Sequence, residues 1–237
     1  MTEIAHHLQE IEARIQSTCE KYARSRSEIT LLAVSKKQAA SSVRQAYKAG
    51  QTAFGENYLQ EAIEKIEALA DIRQELQWHL IGPLQSNKTR LAAEHFDWVQ
   101  SIDRLKIAQR LSEQRPENLP HLNICIQVNI SGEASKSGVS PEDLEGLCQE
   151  VIKLPRLNLR GLMAIPEPGH ASLSLQAMRD LFNKMRESLR QSSRQSSIDF
   201  NFDTLSMGMS GDLEEAIASG STMVRIGTAI FGVRAPK

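Results

Sequence analysis

The chain has 237 residues, 41% of them apolar and 24% charged, with a formal net charge of -1 at pH 7. That length suits one large α/β domain or two small ones, and the balanced charge excludes a disordered tail, bulk nucleic-acid binding and attachment to an anionic membrane surface. Aromatic residues make up only 5%, too few for base-stacking platforms.

No run of about 18 apolar residues is present, so no membrane span is expected. The start, Met1 to His7, lacks a basic segment followed by an apolar core, so no signal peptide is expected. Cys19, Cys125 and Cys148 are far apart and form no CxxC pair. That spacing predicts a reducing compartment and no zinc site. The expectation is a soluble, cytoplasmic protein.

Ile4, Leu8, Ile11, Ile15 and Tyr22 recur at helical spacing and predict an amphipathic helix over 2–24. Leu31-Leu32-Ala33-Val34-Ser35-Lys36 follows, an apolar run that suits a strand buried on both faces and stops at an amine. Ser42-Val43-Arg44-Gln45 matches a capping box and predicts a helix to Gly50. A second strand over 52–55 ends at Glu56-Asn57, and a helix is expected over 58–70. A third strand and turn run over 77–83, then a short helix from Ser86-Asn87-Lys88 through Ala92. A fourth strand over 97–101 precedes a helix over 104–114, with Asp103 as its cap.

The fifth strand, 122–128, opens onto a polar loop over 129–138. Ser140-Pro141-Glu142-Asp143 then combines a cap, a proline and first-turn acids as a helix start. The sixth strand, 157–163, ends in Ala164-Ile165-Pro166, and a helix follows over 175–189 with a solvated end over 190–197. The seventh strand, 203–206, leads to a second capping-box match, Asp212-Leu213-Glu214-Glu215, opening a helix to Ser219. The eighth strand, 222–225, is followed by Ile226 to Gly232 as a turn.

Eight β units with helices or turns between them, no linker and no tandem repeat predict one domain over 1–237, a (β/α)8 TIM barrel with an extra N-terminal helix. An open doubly wound sheet would carry a glycine-rich turn after its first strand. Here Ser35-Lys36-Lys37-Gln38 stands there instead.

Active sites of such barrels lie at the C-terminal strand ends. Those ends collect Lys36, Asn57, His79, Ser101, Asn129, Met163, Ser206 and Arg225. They include no carboxylate pair for glycoside hydrolysis and no cluster at metal-ligand spacing. On its own, Lys36 reads as a solvated strand end.

The loops after strands seven and eight change that reading. Ser206 to Gly211 carries two hydroxyls and two glycines, and Arg225-Ile226-Gly227-Thr228 adds a glycine and a threonine. Either loop alone reads as a simple turn. Together they fall where barrels of this kind hold a phosphate.

An amine beside a phosphate cup points to pyridoxal 5′-phosphate (PLP) held as a Schiff base. A Schiff-base aldolase for a sugar phosphate would use the same pair. It also needs a carboxylate or tyrosine near the lysine, and none is evident. Alternation turns Lys36 inward with Leu32 and Val34, and Lys37 outward with Ala33 and Ser35. A second ammonium at Lys37 would lower the pKa of Lys36.

Several stretches resemble one family. They are Leu31 to Lys36, Phe54-Gly55-Glu56-Asn57-Tyr58, Trp78 to Lys88, Gln127 to Ser131, Arg160 to Pro166, Leu205 to Ser210, and Gly220 to Gly232. Their pattern is similar to the pyridoxal phosphate homeostasis proteins, PLP-binding barrels akin to the N-terminal domain of alanine racemase. The resemblance covers nearly the whole chain.

It implies that Lys36 carries the PLP Schiff base and that Ser206, Gly227 and Thr228 hold the phosphate. Arg225 would face the pyridine nitrogen and keep it unprotonated, and Asn57 would lie at the cofactor's edge. The implied function is PLP homeostasis without robust turnover, with apo PLP-dependent enzymes as recipients.

The alternative is a racemase-like PLP enzyme. Such racemases take a second base, a tyrosine, from a partner's β-rich domain. The chain stops soon after its eighth strand, so a monomer lacking that base is expected. Its three tyrosines, Tyr22, Tyr47 and Tyr58, fall in predicted helices.

Overall fold

A computed structural model describes residues 2–133, 137–166, 171–196 and 201–232. Eight parallel strands pair in chain order and close into a barrel. They are β1 (Thr30–Val34), β2 (Ala53–Glu56), β3 (Gln77–Leu80), β4 (Trp98–Ile102), β5 (Leu122–Gln127), β6 (Leu157–Met163), β7 (Thr204–Ser206) and β8 (Met223–Ile226). Closure is made by β8 against β1, with Leu32 opposite Arg225 and Ala33 opposite Ile226.

Helices alternate with the strands: α1 (Glu3–Lys21), α2 (Ala40–Lys48), α3 (Leu59–Ala68), α4 (Thr89–His95), α5 (Leu105–Gln114), α6 (Leu144–Val151), α7 (Ala171–Ser196), α8 (Leu213–Ala218) and α9 (Thr228–Phe231). The barrel and its leading helix match the fold read from the sequence. Among the described residues no helix is long and apolar enough to cross a membrane.

The period-2 alternation of each strand separates two cores. Leu31, Ala33, Phe54, Trp78, Leu80, Val99, Leu205 and Val224 face outward into the layer shared with the helices. Leu32, Val34, Ala53, Ile81 and Met223 form one apolar cluster within the barrel, and Trp98, Cys125 and Met163 form another. The extra helix α1 buries Leu8, Ile11, Ile15 and Cys19 and packs against α2, α8 and α9. Arg14 donates to Glu214 on α8 at 2.8 Å, and His7 Nδ1 meets the Ile230 carbonyl at 3.0 Å. All three cysteines are buried free thiols.

Several element ends differ from the sequence expectation. Helix α2 starts at Ala40 with Ala39 at its cap, so Ser42 lies inside the helix and caps nothing. Asp103 pairs with Arg104 at 2.7 Å instead of capping α5. Asp212 accepts from the Met209 amide at 2.6 Å, stapling the preceding loop in place of α8's first turn. Helix α7 runs beyond both expected ends, and past the expected C-terminal one Gln149 of α6 donates to Ser192 at 3.1 Å. The stretch read as a turn after β8 contains α9.

Candidate functional site

Lys36 follows β1 in a tight turn in which the Gln38 amide donates to the Ser35 carbonyl at 3.0 Å. It is half-buried, whereas Lys37 is exposed. Ser35 lies on the outer face, continuing Leu31 and Ala33, while Leu32 and Val34 face the barrel interior. The inward alternation inferred for the strand leading to Lys36 is therefore realised. Lys37 adopts a left-handed backbone, φ +62°, and its ammonium lies 5.9 Å from the centre of the Tyr58 ring. Tyr58 was expected inside a helix. It precedes α3 at the rim instead, half-exposed beside the lysine pair.

A buried charge network sits directly behind this turn. The Lys65 ammonium on α3 donates to the Ser35 carbonyl at 2.6 Å, to Glu56 at 2.7 Å and to Glu61 at 2.6 Å. The Ser35 hydroxyl also donates to Glu56 at 2.7 Å, and the Lys37 amide donates to Glu61. Side-chain exposure is 6% at Lys65 and 0% at Glu56. Burial pushes the Glu56 carboxyl above its ordinary pKa, while Lys65 and Ser35 pull it back. Glu56 Oε2 is buried without a hydrogen-bond partner.

The end of β8 adjoins the end of β1, just before the Lys36 turn. A Cβ on Gly227 would lie 3.2 Å from the Val34 carbonyl oxygen, so the residue after β8 rests against the end of β1. Gly227 caps α9, and Thr228 is exposed at that helix's start. The loop after β7 joins them through the Arg225 amide, which donates to the Gly208 carbonyl at 3.0 Å. Gly208 has φ +95°, and a Cβ there would meet Ala216 Cβ at 2.4 Å. Both the backbone angle and the space demand glycine.

Ser206 and Arg225 lie inside the barrel. Arg225 donates to the Ser206 hydroxyl at 2.8 Å and to the Ala164 carbonyl at 2.7 Å. Because arginine only donates, Ser206 passes its own proton to Gln100 Oε1, at 2.7 Å. The Gln100 amide then donates to His79 Nδ1 at 2.9 Å, which assigns the imidazole proton to Nε2. That N–H is buried without a partner. His79 stacks on Trp98, ring centres 5.1 Å apart. Burial pulls its pKa down to about 3, so it is neutral, and pulls Arg225 down to about 10, so it stays charged at pH 7.

Asn57 follows β2 at the rim, with Oδ1 buried and unpartnered. Beside it lies a cavity of about 220 Å³, walled by Ile81, Gly82, Val128, Ile130 and Ile165. A Cβ on Gly82 would lie 2.1 Å from the Asn57 carbonyl oxygen, so only glycine permits this approach.

The six residues singled out in the sequence thus divide between two levels. Lys36, Asn57, Gly227 and Thr228 follow strand ends, while Ser206 and Arg225 lie among the barrel's interior side chains. Sequence reasoning missed Glu61, Lys65 and Gln100. The i,i+4 spacing of Glu61 and Lys65 was their only signal, and it ordinarily marks a solvated helix face.

The closed barrel thus sets Lys36, just after β1, near Gly227 at the end of β8. The chain belongs to the family described as alanine racemase, N-terminal domain, whose model matches residues 6–235. Curated relatives are named pyridoxal phosphate homeostasis protein. The one from Pseudomonas aeruginosa is 55% identical, covering 99% of this chain and 97% of its own. The one from Escherichia coli K12 is 51% identical, covering 99% and 98%. PipY of Synechococcus elongatus, solved with PLP bound, is 36% identical with a TM-score of 0.79, covering 97% of this chain and 100% of that one. Alanine racemase of Corynebacterium glutamicum, 18% identical with a TM-score of 0.64 over 98% of this chain and 61% of that one, shares the fold.

Proposed function

We propose that the chain binds PLP at the C-terminal rim of its barrel and acts in PLP homeostasis, holding the cofactor as a Schiff base on Lys36 without robust turnover. The observation that carries this reading is the half-buried Lys36 in the turn after β1, whose last residue, Val34, lies against Gly227 at the end of β8. The names of close relatives and the PLP-bound PipY support it. The residues present fit the group: a rim amine, a glycine cradle, and at Asn57 a buried oxygen awaiting a donor.

In this reading Lys36 would hold the cofactor through its aldehyde as a Schiff base, with one water released. Gly227, Thr228 and the loop opened by Ser206 receive the phosphate, and Asn57 meets the cofactor's edge. When bound, PLP supplies an aldehyde and an electron-withdrawing ring. Arg225, charged and held by Ser206 and Ala164, would disfavour protonation of the pyridine nitrogen and so weaken that ring as an electron sink.

Racemisation needs a second proton-transfer group across from the lysine. Among the described tyrosines, Tyr47 is bonded to Glu75, Tyr22 is exposed beyond α1, and Tyr58 stands beside Lys37. Tyr47 and Tyr22 are thereby removed as candidates, and the relatives' names as homeostasis proteins support holding over turnover. The protein would then work as a cytoplasmic monomer that limits free aldehyde and supplies apo PLP-dependent enzymes.

Borohydride reduction after incubation with PLP, followed by peptide mass mapping, tests the site. A pyridoxyl group on Lys36 is expected, and its absence or attachment elsewhere overturns the assignment. Substantial racemisation of L-amino acids would overturn the non-enzymatic part.

A further inference from the structure

We infer that Glu61 and Lys65, acting with Glu56 and Ser35, are positioning residues that set the geometry of the Lys36 amine from outside the barrel. The inference rests on the reading of Lys36 as the PLP-binding lysine. Neither residue follows a strand end, and their helix faces the outer layer. Their contacts converge on the one turn that carries Lys36.

That turn is four residues long, with Ser35 and Gln38 at its ends and Lys36 and Lys37 at its centre. Its second central residue has φ +62°, a conformation glycine adopts freely and a lysine does not. Such a backbone persists when its surroundings over-determine it. Here the surroundings are specific. Glu61 accepts the amide proton of the left-handed Lys37, and Lys65 donates to the Ser35 carbonyl that opens the turn. The Ser35 hydroxyl is tied to Glu56 at the end of β2. The Ser35 amide donates to the Gly55 carbonyl at 3.0 Å. Groups on both sides of Lys36 are therefore bonded to β2 or α3.

The two acidic partners also share one ammonium. Lys65 lies within 2.7 Å of both Glu56 and Glu61. With three acceptors around it, Lys65 is fully occupied as a donor. The network thus distinguishes Lys65, tied to three acceptors, from Lys36, whose turn it orients. Surface placement would give Glu61 and Lys65 little energetic effect. Burial behind the turn makes the contacts directional, and displacing a reacting group by about 1 Å can cost about 100-fold in rate.

The test uses the full-length protein, PLP, and a PLP analogue with an alcohol in place of the aldehyde. Glu61→Ala removes the acceptor of the Lys37 amide, while Glu61→Gln keeps an oxygen there. Glu61 is 28% exposed in the first turn of α3, so both variants are expected to fold. The rate of Schiff-base formation, followed by visible absorbance, should fall by about 10- to 100-fold in Glu61→Ala. Glu61→Gln should restore most of it, and the alcohol analogue should bind all three proteins equally.

A merely structural role would weaken the analogue in step with the aldehyde, and that result would overturn the inference. So would a Glu61→Ala rate equal to that of the unmodified protein. Ser35→Ala, which removes only the hydroxyl bond to Glu56, provides an independent second variant with the same expected pattern. If borohydride traps PLP on a residue other than Lys36 in the unmodified protein, the reading of the site fails. If Lys36 is trapped and the rates do not change, only the positioning inference fails.

Discussion

Replacing Lys65 by methionine should destabilise the protein in a pH-dependent way. The substitution removes three hydrogen bonds of 2.6–2.7 Å and leaves Glu56, with 0% side-chain exposure, holding only the Ser35 hydroxyl. Removing one partner of a buried ion pair typically costs about 3–5 kcal/mol. The protein can escape part of that by protonating Glu56. Neutralising a carboxyl of ordinary pKa, about 4.3, costs about 1.4 kcal/mol per pH unit, hence about 3.7 kcal/mol at pH 7 and about 1 kcal/mol at pH 5.

In the variant the folded-state pKa of Glu56 is raised further above its unfolded value. The folded state then binds more protons, and the deficit shrinks as pH falls towards 4.3. Urea unfolding should therefore show a deficit of about 3–4 kcal/mol at pH 7, roughly 6–15 °C in Tm, and about 1 kcal/mol at pH 5. Adding Glu56→Gln should recover most of the loss at pH 7. A deficit under about 1 kcal/mol at pH 7, or one independent of pH, would refute the picture of a desolvated carboxylate paired by Lys65.

Two further outcomes follow from the interior and the rim. His79 has a folded pKa depressed to about 3, so its contribution to stability is present above its unfolded pKa of about 6.5 and is lost as pH falls below it. Relative to His79→Gln, the unmodified protein should lose about 1.4 kcal/mol per unit below pH 6.5; parallel pH profiles in denaturant melts would contradict this. Gly82→Ala puts a methyl 2.1 Å from the Asn57 carbonyl oxygen, a backbone atom that must move. It should cost about 1–3 kcal/mol and weaken PLP binding in an absorbance titration. Unchanged stability and affinity would show that Asn57 and Gly82 do not pack as described.

The barrel was readable because eight strand-like runs alternate with helices or turns without a linker, and alternation along β1 then assigned its two faces. Leu32 and Val34 against Leu31 and Ala33 already sort interior from exterior. The rim residues Lys36, Asn57, Gly227 and Thr228 were readable because strand ends point to one face once the sheet closes. Lys65 was not, since a lysine four residues after a glutamate on an amphipathic helix looks like a solvated pair, and only tertiary packing buries it. Gln100 was hidden for the opposite reason: strand interiors are read as apolar, and its role depends on partners 21 and 106 residues away. The misplaced start of α2 has a local cause. The Ser35–Gln38 turn hands the chain to the helix before the capping-box serine is reached.

The buried thiols have a practical consequence. Cys19 lies on the buried face of α1, Cys125 inside the barrel and Cys148 on the buried side of α6, so each layer carries its own reporter. Burial raises the pKa of all three, that of Cys148 to about 12, which leaves little thiolate in the native state at neutral pH. Thiol labelling therefore requires opening, and site-resolved labelling rates give the order in which the layers come apart. Early labelling of Cys19 alone would mean that α1 peels away while the barrel stays shut. Simultaneous labelling at all three positions would mean that helix and barrel open as one unit.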